Sequence, residues 1–402
     1  MEIKYQKKMT EDSIRIERIK VKELEEFAKG MISSKDQGQL VPITLQRAIA
    51  HTRNPHADSE DVGLLVAYIG DEFVGYFGIL PIVLKHGTQY SKVYWFSTWF
   101  VSPKFRGRSI GSLLMEDALS MNQDYIIVGS GPARKVCQRF GFYEFAPLNY
   151  YSLDMSGMER LNLVTWIFRL FRKLLSPLGV RVNIDNKYTK FFERLASPLT
   201  KRFFYWLGNH GDNGVLNAYN YNEVDDINYH GLDVDANLPN VTFYRGSEVI
   251  NWMLKYPWVV EPGQSSTQKK NFYFTDVREK FSNIAVEVYS ECSGEFVGFV
   301  ILSNSIIGGK GVLKVLDIHF LNREDICGVI PLIIRYGCIF NVDKIEIPAS
   351  LVGCICSKIA QRFLVHQKQR LYQCFPGNDQ SPLANCWQEI ELNYCDGDMP
   401  FT

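Results

Sequence analysis

The stretch Trp99–Leu119, WFVSPKFRGRSIGSLLMEDAL, decides the fold. Its β-branched and aromatic start predicts a strand that stops at Pro103, because proline has no N–H to give a ladder. From Ile110 the apolar residues recur at helical spacing, which predicts a helix to about Met121. Between strand and helix stands a short basic bend, Arg106-Gly107-Arg108-Ser109. The first turn of a helix leaves backbone N–H groups without partners and gathers partial positive charge, so a bend opening onto a helix start predicts an anion site, and phosphate suits it. Gly107 and Gly111 remove side chains that would hold a ligand off the backbone, while Arg106 and Arg108 add mobile charge.

Nothing global draws anions to this chain. Of 402 residues, 44 are basic and 44 acidic, a balance that argues against nucleic acid as a partner and makes any anion site local. The length exceeds the ~250 to 300 residues at which single cores stop growing, so two domains are expected. The first thirty residues are highly charged and lack a signal-peptide core, and no run of eighteen apolar residues follows. A cytoplasmic protein with no membrane span is the expectation. Nine cysteines without a C-x-x-C pair point to reduced, mostly buried thiols, with neither a disulfide framework nor a metal.

Working outward, residues 10–155 predict a strand near Ser13–Lys20 and two helices within Val21–Ala50. Strands follow at 64–69, 72–80 and 93–101, then the helix at Ile110, a strand at Tyr125–Ser130, a helix at 132–140 and two strands within Phe142–Asp154. DEFVGYFGIL at Asp71–Leu80 is echoed by GEFVGFVIL at Gly294–Leu302, each flanked by strand candidates, 284–289 and 312–320 in the second half. This reads as two copies of one domain type. Between them Arg160–Leu207 is basic and aromatic, with Leu163, Trp166, Ile167, Leu170, Phe171 and Leu174 on one helical face. It is either a helix packed between domains or a weak peripheral membrane contact.

The bend is unlike other phosphate loops. It lacks the Lys-Ser/Thr pair of a P-loop and the acidic residue of a dinucleotide fold. Val101-Ser102-Pro103-Lys104-Phe105-Arg106-Gly107-Arg108-Ser109-Ile110-Gly111 resembles the acyl-CoA signature of the GNAT superfamily of N-acyltransferases, V-x-P-x-x-R-G-x-G-I-G, with Ser109 in place of a glycine. GPARKVCQRFGF, Gly131–Phe142, is similar to the family's helix beside the coenzyme thiol. The resemblance implies an α/β chain with two GNAT-like domains, each a mixed central sheet flanked by helices, joined by a helical linker. The boundaries expected are 1–155 for the catalytic domain, 156–235 for the basic linker and 236–402 for a degenerate second copy. It implies acyl-CoA as co-substrate and no metal. Pantetheine would pair with Trp99, Phe100 and Val101, and pyrophosphate with the N–H groups of Arg106, Gly107, Arg108, Ser109, Ile110, Gly111 and Ser112. The N–H near Phe100 would stabilise the oxyanion.

The family's strand glutamate is missing, since Tyr94-Trp95-Phe96-Ser97-Thr98-Trp99 holds no carboxylate. Cys137 aligns with the family's general-acid tyrosine, and Tyr150 or Tyr151 are substitutes. His51, His56, His86 and His319 are other candidate bases, each more ordinary as a structural histidine. In the second half Asn322-Arg323-Glu324-Asp325 replaces the basic bend, and two acids at a helix start repel pyrophosphate, so one coenzyme site per chain is expected. RGSEVINWMLKYPWV (Arg245–Val259) and YCDGDMPF (Tyr394–Phe401) look similar to bacterial acyltransferases of surface-polysaccharide clusters. That implies a nucleotide-linked amino sugar as acceptor, such as a dTDP-amino-dideoxyhexose, with Trp252, Tyr256, Trp258 and Tyr273 as stacking candidates. The alternatives are a peptidyl or protein N-acyltransferase and a non-catalytic acyl-CoA sensor.

Overall fold

A computed structural model describes residues 13–33, 41–129, 131–156, 202, 218–228, 240–259, 261, 278–355 and 365–401. Apart from Arg202, the basic stretch 160–207 lies outside the described residues, as does the stacking candidate Tyr273, while Tyr219–Val224 of the expected helical linker 156–235 is a strand. The chain divides into two units, one of residues 1–148, 233–278 and 370–402, the other of 149–232 and 279–369. This division does not follow the continuous segments 1–155, 156–235 and 236–402.

In the first unit β1 (Ile14–Lys20) leads through α1 (Leu24–Ser33) and α2 (Leu45–Thr52) to β2 (Val62–Ile69), β3 (Glu72–His86) and β4 (Gln89–Val101). After the bend come α3 (Ile110–Leu119), β5 (Tyr125–Val128) and α4 (Gly131–Arg139). The strands run β1-β2-β3-β4-β5-β13, where β13 is Val365–Phe375. Along this run the pairings are antiparallel except β4 with β5. The sequence placed β1 to β5 and α1 to α4, although β3 and β4 run longer than expected, and it did not place β13. The two strands expected within Phe142–Asp154 are one, β6 (Tyr143–Asp154).

The later part of the chain supplies more of this unit than the sequence indicated. β5 pairs with Tyr372–Phe375 of β13, and β3 pairs with β8 (Val241–Phe243). α5 (Ser247–Lys255) and the closing stretch to Phe401, with α7 (Pro382–Cys386), also belong here. Arg245–Val259 and Tyr394–Phe401, assigned above to the second half, are therefore parts of the first unit. The second unit repeats the strand order as β7-β9-β10-β11-β12-β6, with β7 Tyr219–Val224, β9 Lys280–Ser290, β10 Phe296–Ile307, β11 Lys310–Phe320 and β12 Lys344–Pro348. There β12 pairs in parallel with β11 and antiparallel with Tyr150–Asp154 of β6. The Glu-Phe-Val-Gly echo sits at one place in both units: Gly75 opposes Val101 and Gly298 opposes Phe320.

The first core joins Leu65, Phe77, Phe96, Tyr125 and Ile127 of the sheet to Ile110, Leu114, Met115 and Ala118 of α3. Those four positions make one helical face, and each large side chain removed from water is worth about 1.5–3 kcal/mol. Tyr125 Oη donates to Ala118 O at 2.6 Å, and Arg18 Nε donates to Asp117 Oδ2 at 2.9 Å. These contacts hold the far end of α3, so its N-terminus points at the bend. In the second unit Val286, Val300, Leu313 and Ile345 pack on α6 (Val329–Ile339). Cys327 and Cys354 form a disulfide, which overturns the expectation that every thiol is reduced.

Candidate functional site

β5 tracks β4 only through Tyr94↔Tyr125, Trp95↔Ile126 and Phe96↔Ile127 among the described pairs. On its other edge β4 stays paired with β3 to Gly75↔Val101. The last residues of β4 thus have one edge without a described strand partner, which is where an extended ligand can add as a strand. The register of β3 and β4 slips between Phe77↔Trp99 and Ile79↔Phe96, so Ser97 and Thr98 together oppose Gly78 in a bulge.

The bulge reverses which backbone groups reach the open edge. Ser102 N donates to Val74 O at 2.8 Å, toward β3. Alternation then sends the Phe100 backbone toward β3 and the N–H groups of Trp99 and Val101 toward the open edge. A Cβ on Gly75 would lie 2.8 Å from Phe100 O, which puts that carbonyl on the β3 side as well. The expected oxyanion donor is corrected accordingly. Trp99 N–H, not Phe100 N–H, faces the space a thioester would enter, and Val101 follows it along the same edge.

At the end of β4 a short 3₁₀ turn, Pro103–Phe105, leads into the bend. Gly107 has φ +85° and Ser109 φ +61°, both left-handed. Such turns aim successive N–H groups into one concavity that binds anions. The first helical bond runs from Leu113 N to Ser109 O at 3.0 Å, leaving the N–H groups of Ile110, Gly111 and Ser112 outside the helical ladder. Ser109 holds a conformation that disfavours side chains by about 1–2 kcal/mol, and it does so at the N-cap without a side-chain cap bond. Arg106 and Arg108 are exposed at the rim, the Arg108 guanidinium 5.5 Å from the centre of the buried Phe105 ring. A Cβ on Gly111 would come within 3.1 Å of Trp99 Cζ2, so the indole of Trp99 floors the first turn of α3. These residues fit a diphosphate: the N–H groups converge, the rim is cationic and the backbone is bare.

The other expected residues are engaged as follows in their own units. Cys137 is fully buried among Phe96, Phe105 and Phe142, and burial pushes its thiol up to about 11. A thiol so weakly acidic does not readily protonate a leaving thiolate whose own pKa is near ~8.5. It is a packing residue. Tyr150 and Tyr151 belong to the second unit, opposite Pro348 and Ile347 of β12. His319 also lies there, 3.2 Å from Asp317. His86 ends β3 opposite Gln89. His56 is pushed down to about 4 by burial and by Lys92. Trp252 and Trp258 are buried, Trp258 against Phe401 at 4.1 Å between ring centres, so neither offers a face to a sugar.

The carboxylate missing from β4 arrives from the end of the chain. Asp398, only 4% exposed, accepts from Trp95 Nε1 at 2.9 Å and from the Ser97 hydroxyl. Arg47 of α2 donates to Ser97 Oγ and lies 3.9 Å from Asp398 Oδ2. Arg47 Nε also donates to His51 Nε2 at 3.2 Å, and burial with the neighbouring guanidinium holds His51 well below the ordinary histidine range. Gly397, at φ +59°, lies against the Trp95 ring where any side chain would overlap Cδ2 and Cε2. Arg245 Nη1 donates to Asp396 Oδ1 at 3.0 Å, tying the same turn to the segment after β8. Sequence reasoning missed Asp398 because 301 residues separate it from Ser97. The only signal was its place in the quoted stretch YCDGDMPF.

Comparison with known proteins agrees with the geometry. Residues 34–142 match the model of the acetyltransferase (GNAT) family, which supports acyl-CoA-dependent N-acyl transfer as the activity of that part of the chain. No curated protein sequence matches. Among solved structures, a conserved Enterococcus faecalis V583 protein described as a probable N-acyltransferase is 11% identical, with a TM-score of 0.47 over 90% of this chain and 72% of its own. Saccharomyces cerevisiae N-myristoyltransferase with bound myristoyl-CoA is 10% identical, with a TM-score of 0.48 over 90% and 83%. Mycobacterium abscessus Eis1 is 11% identical, with a TM-score of 0.44 over 92% and 75%. All three scores are below 0.5, so they do not bear on what this chain acylates. Among the described residues no helix is long and apolar enough to cross a membrane, and no group of side chains is arranged to hold a metal.

Proposed function

We propose that the first unit transfers a small acyl group, acetyl or hydroxyacyl, from acyl-CoA to the amine of a nucleotide-linked amino sugar. The observation that carries the acyl-CoA part is the pairing of one strand edge with one helix start. The N–H groups of Trp99 and Val101 line the open edge of β4, and those of Ile110, Gly111 and Ser112 open into the basic bend. Pantetheine adds to the edge as a strand, the diphosphate sits on the first turn of α3, and Trp99 N–H receives the developing oxyanion.

The amino-sugar acceptor is supported by the resemblance of Arg245–Val259 and Tyr394–Phe401 to surface-polysaccharide acyltransferases. Both stretches belong to the unit that carries the bend. A sugar amine next to electron-withdrawing hydroxyls is less basic than a lysine, and so needs less help to lose its proton. The second unit is a degenerate copy in this reading. It repeats the strand order but replaces the bend with a 3₁₀ turn, Arg323–Gly328, whose Asp325 accepts from Tyr219 Oη at 2.6 Å.

The test is release of free thiol from acetyl-CoA in the presence of dTDP-4-amino-4,6-dideoxyglucose, glucosamine, a lysine peptide and no acceptor. Acceleration by the nucleotide sugar alone is expected. Acceleration by the peptide alone would overturn the acceptor assignment, and saturable binding without any thiol release would overturn the transferase.

A further inference from the structure

We infer that Ser97 and Asp398 together remove the proton of the acceptor amine, with the end of the chain supplying the carboxylate that β4 lacks. This rests on the proposed acyl transfer and goes beyond it. Ser97 lies in the bulge, two residues before Trp99, so the two residues are roughly 6–7 Å apart along the strand, room for a thioester carbonyl and the amine that attacks it. It is partly accessible, whereas Asp398 behind it is buried. The Ser97 O–H donates to Asp398 Oδ2, while Arg47 donates to Ser97 Oγ. A hydroxyl oxygen has two lone pairs, so Arg47 leaves Ser97 one with which to accept from an amine or its bridging water.

Trp95 Nε1 fixes the second carboxylate oxygen, and the flat Gly397 turn holds Asp398 beside the indole. The charged and titratable groups that contact the turn of Asp398 or the partners of that carboxylate come from several elements. They are Arg47 and His51 of α2, Arg245 after β8, Arg278, and Arg370 with Tyr372 of β13, with Asp396 in its own turn.

The transfer balances. Ser97 Oγ takes one proton from the incoming ammonium, directly or through water, as its own proton passes to Asp398 Oδ2. The freed nitrogen lone pair forms the C–N bond, and the carbonyl π pair moves to the oxygen held by Trp99 N–H. When that pair returns, the C–S bond breaks. The thiolate takes the second nitrogen proton through solvent, and Asp398 returns its proton to water by way of Ser97. Ser97 is the catalytic residue of this pair and Asp398 its positioning partner.

The experiment uses the full chain with acetyl-CoA and two acceptors, dTDP-4-amino-4,6-dideoxyglucose and water, the latter read as slow thioester hydrolysis. Asp398→Asn is expected to lower kcat about 100-fold while the acetyl-CoA Kd stays within about twofold. Its rate should keep climbing with pH beyond the point where that of the wild type levels off. Ser97→Ala should fall at least tenfold and Ser97→Thr, which keeps the hydroxyl, should retain most of the rate. Should Asp398→Asn fail to fold, the Ser97 pair decides alone. Wild-type turnover with kcat within threefold in these variants and an unchanged pH profile overturns the inference but leaves the transferase standing. A wild type that neither binds acetyl-CoA nor releases thiol overturns both.

Discussion

Replacing Gly397 by alanine tests whether the end of the chain is packed as described. Two costs apply. At φ +59° a side chain is strained by about 1–2 kcal/mol, and the new Cβ would overlap the Trp95 indole, for which overpacking costs about 1–3 kcal/mol more. Gly70 supplies the control within the same unit: it has φ +58° and nothing within 4 Å of where a methyl would stand, so Gly70→Ala meets the backbone strain alone. A kilocalorie shifts Tm by about 2–4 °C in a unit of this size, so Gly70→Ala should lose about 2–8 °C and Gly397→Ala about 4–20 °C. Differential scanning calorimetry of the two variants gives the comparison. Equal losses would mean that the turn does not lie on Trp95, and the placement of Asp398 would fall with it.

Three further outcomes follow from the described contacts. Cys137→Ala should keep kcat within about twofold while losing about 1–2 kcal/mol of stability, since its buried thiol packs rather than reacts; thiol-release kinetics and urea melts read the two effects. His56, lowered to about 4 from an unfolded value near ~6.5, stays neutral when folded, so the unfolded chain binds more protons between those values. Stability should fall as pH drops from about 6.5 to 4, by about 3 kcal/mol in all, and His56→Asn should flatten that limb in urea melts taken across the window. The Cys327–Cys354 bond closes a separation of 27 residues, and Cys327→Ser should destabilise the second unit by about 3–4 kcal/mol without changing acetyl-CoA affinity.

Local pattern carried most of the first unit. The alternation in β2 to β5, the proline at the end of β4 and the helical spacing from Ile110 were each visible as residues, and the bend declared its anion affinity through two glycines and two arginines. What the sequence hid depends on count and distance. The bulge at Ser97–Thr98 adds one residue to β4, and that single residue moves the open-edge N–H from Phe100 to Trp99. No composition signal marks it. The strand pairings of β6 with β12 and of β13 with β5 join residues far apart in the chain, and neither strand names its partner. Trp252 and Trp258 are legible in the sequence as core or as stacking candidates, with core the more ordinary role, because aromatic side chains serve both; only burial separates the two uses. Asp398 is the same kind of case, an ordinary acidic residue in a turn until Trp95, Ser97 and Arg47 are seen around it.

Calorimetric titration with acetyl-CoA and with S-acetylpantetheine, which lacks the diphosphate, tests the central claim most directly. Backbone amides at the start of α3 should bind acetyl-CoA once per chain and bind the truncated thioester at least about 100-fold more weakly, a difference near 2.7 kcal/mol. Equal affinity for the two, two sites per chain, or no heat with acetyl-CoA would contradict it.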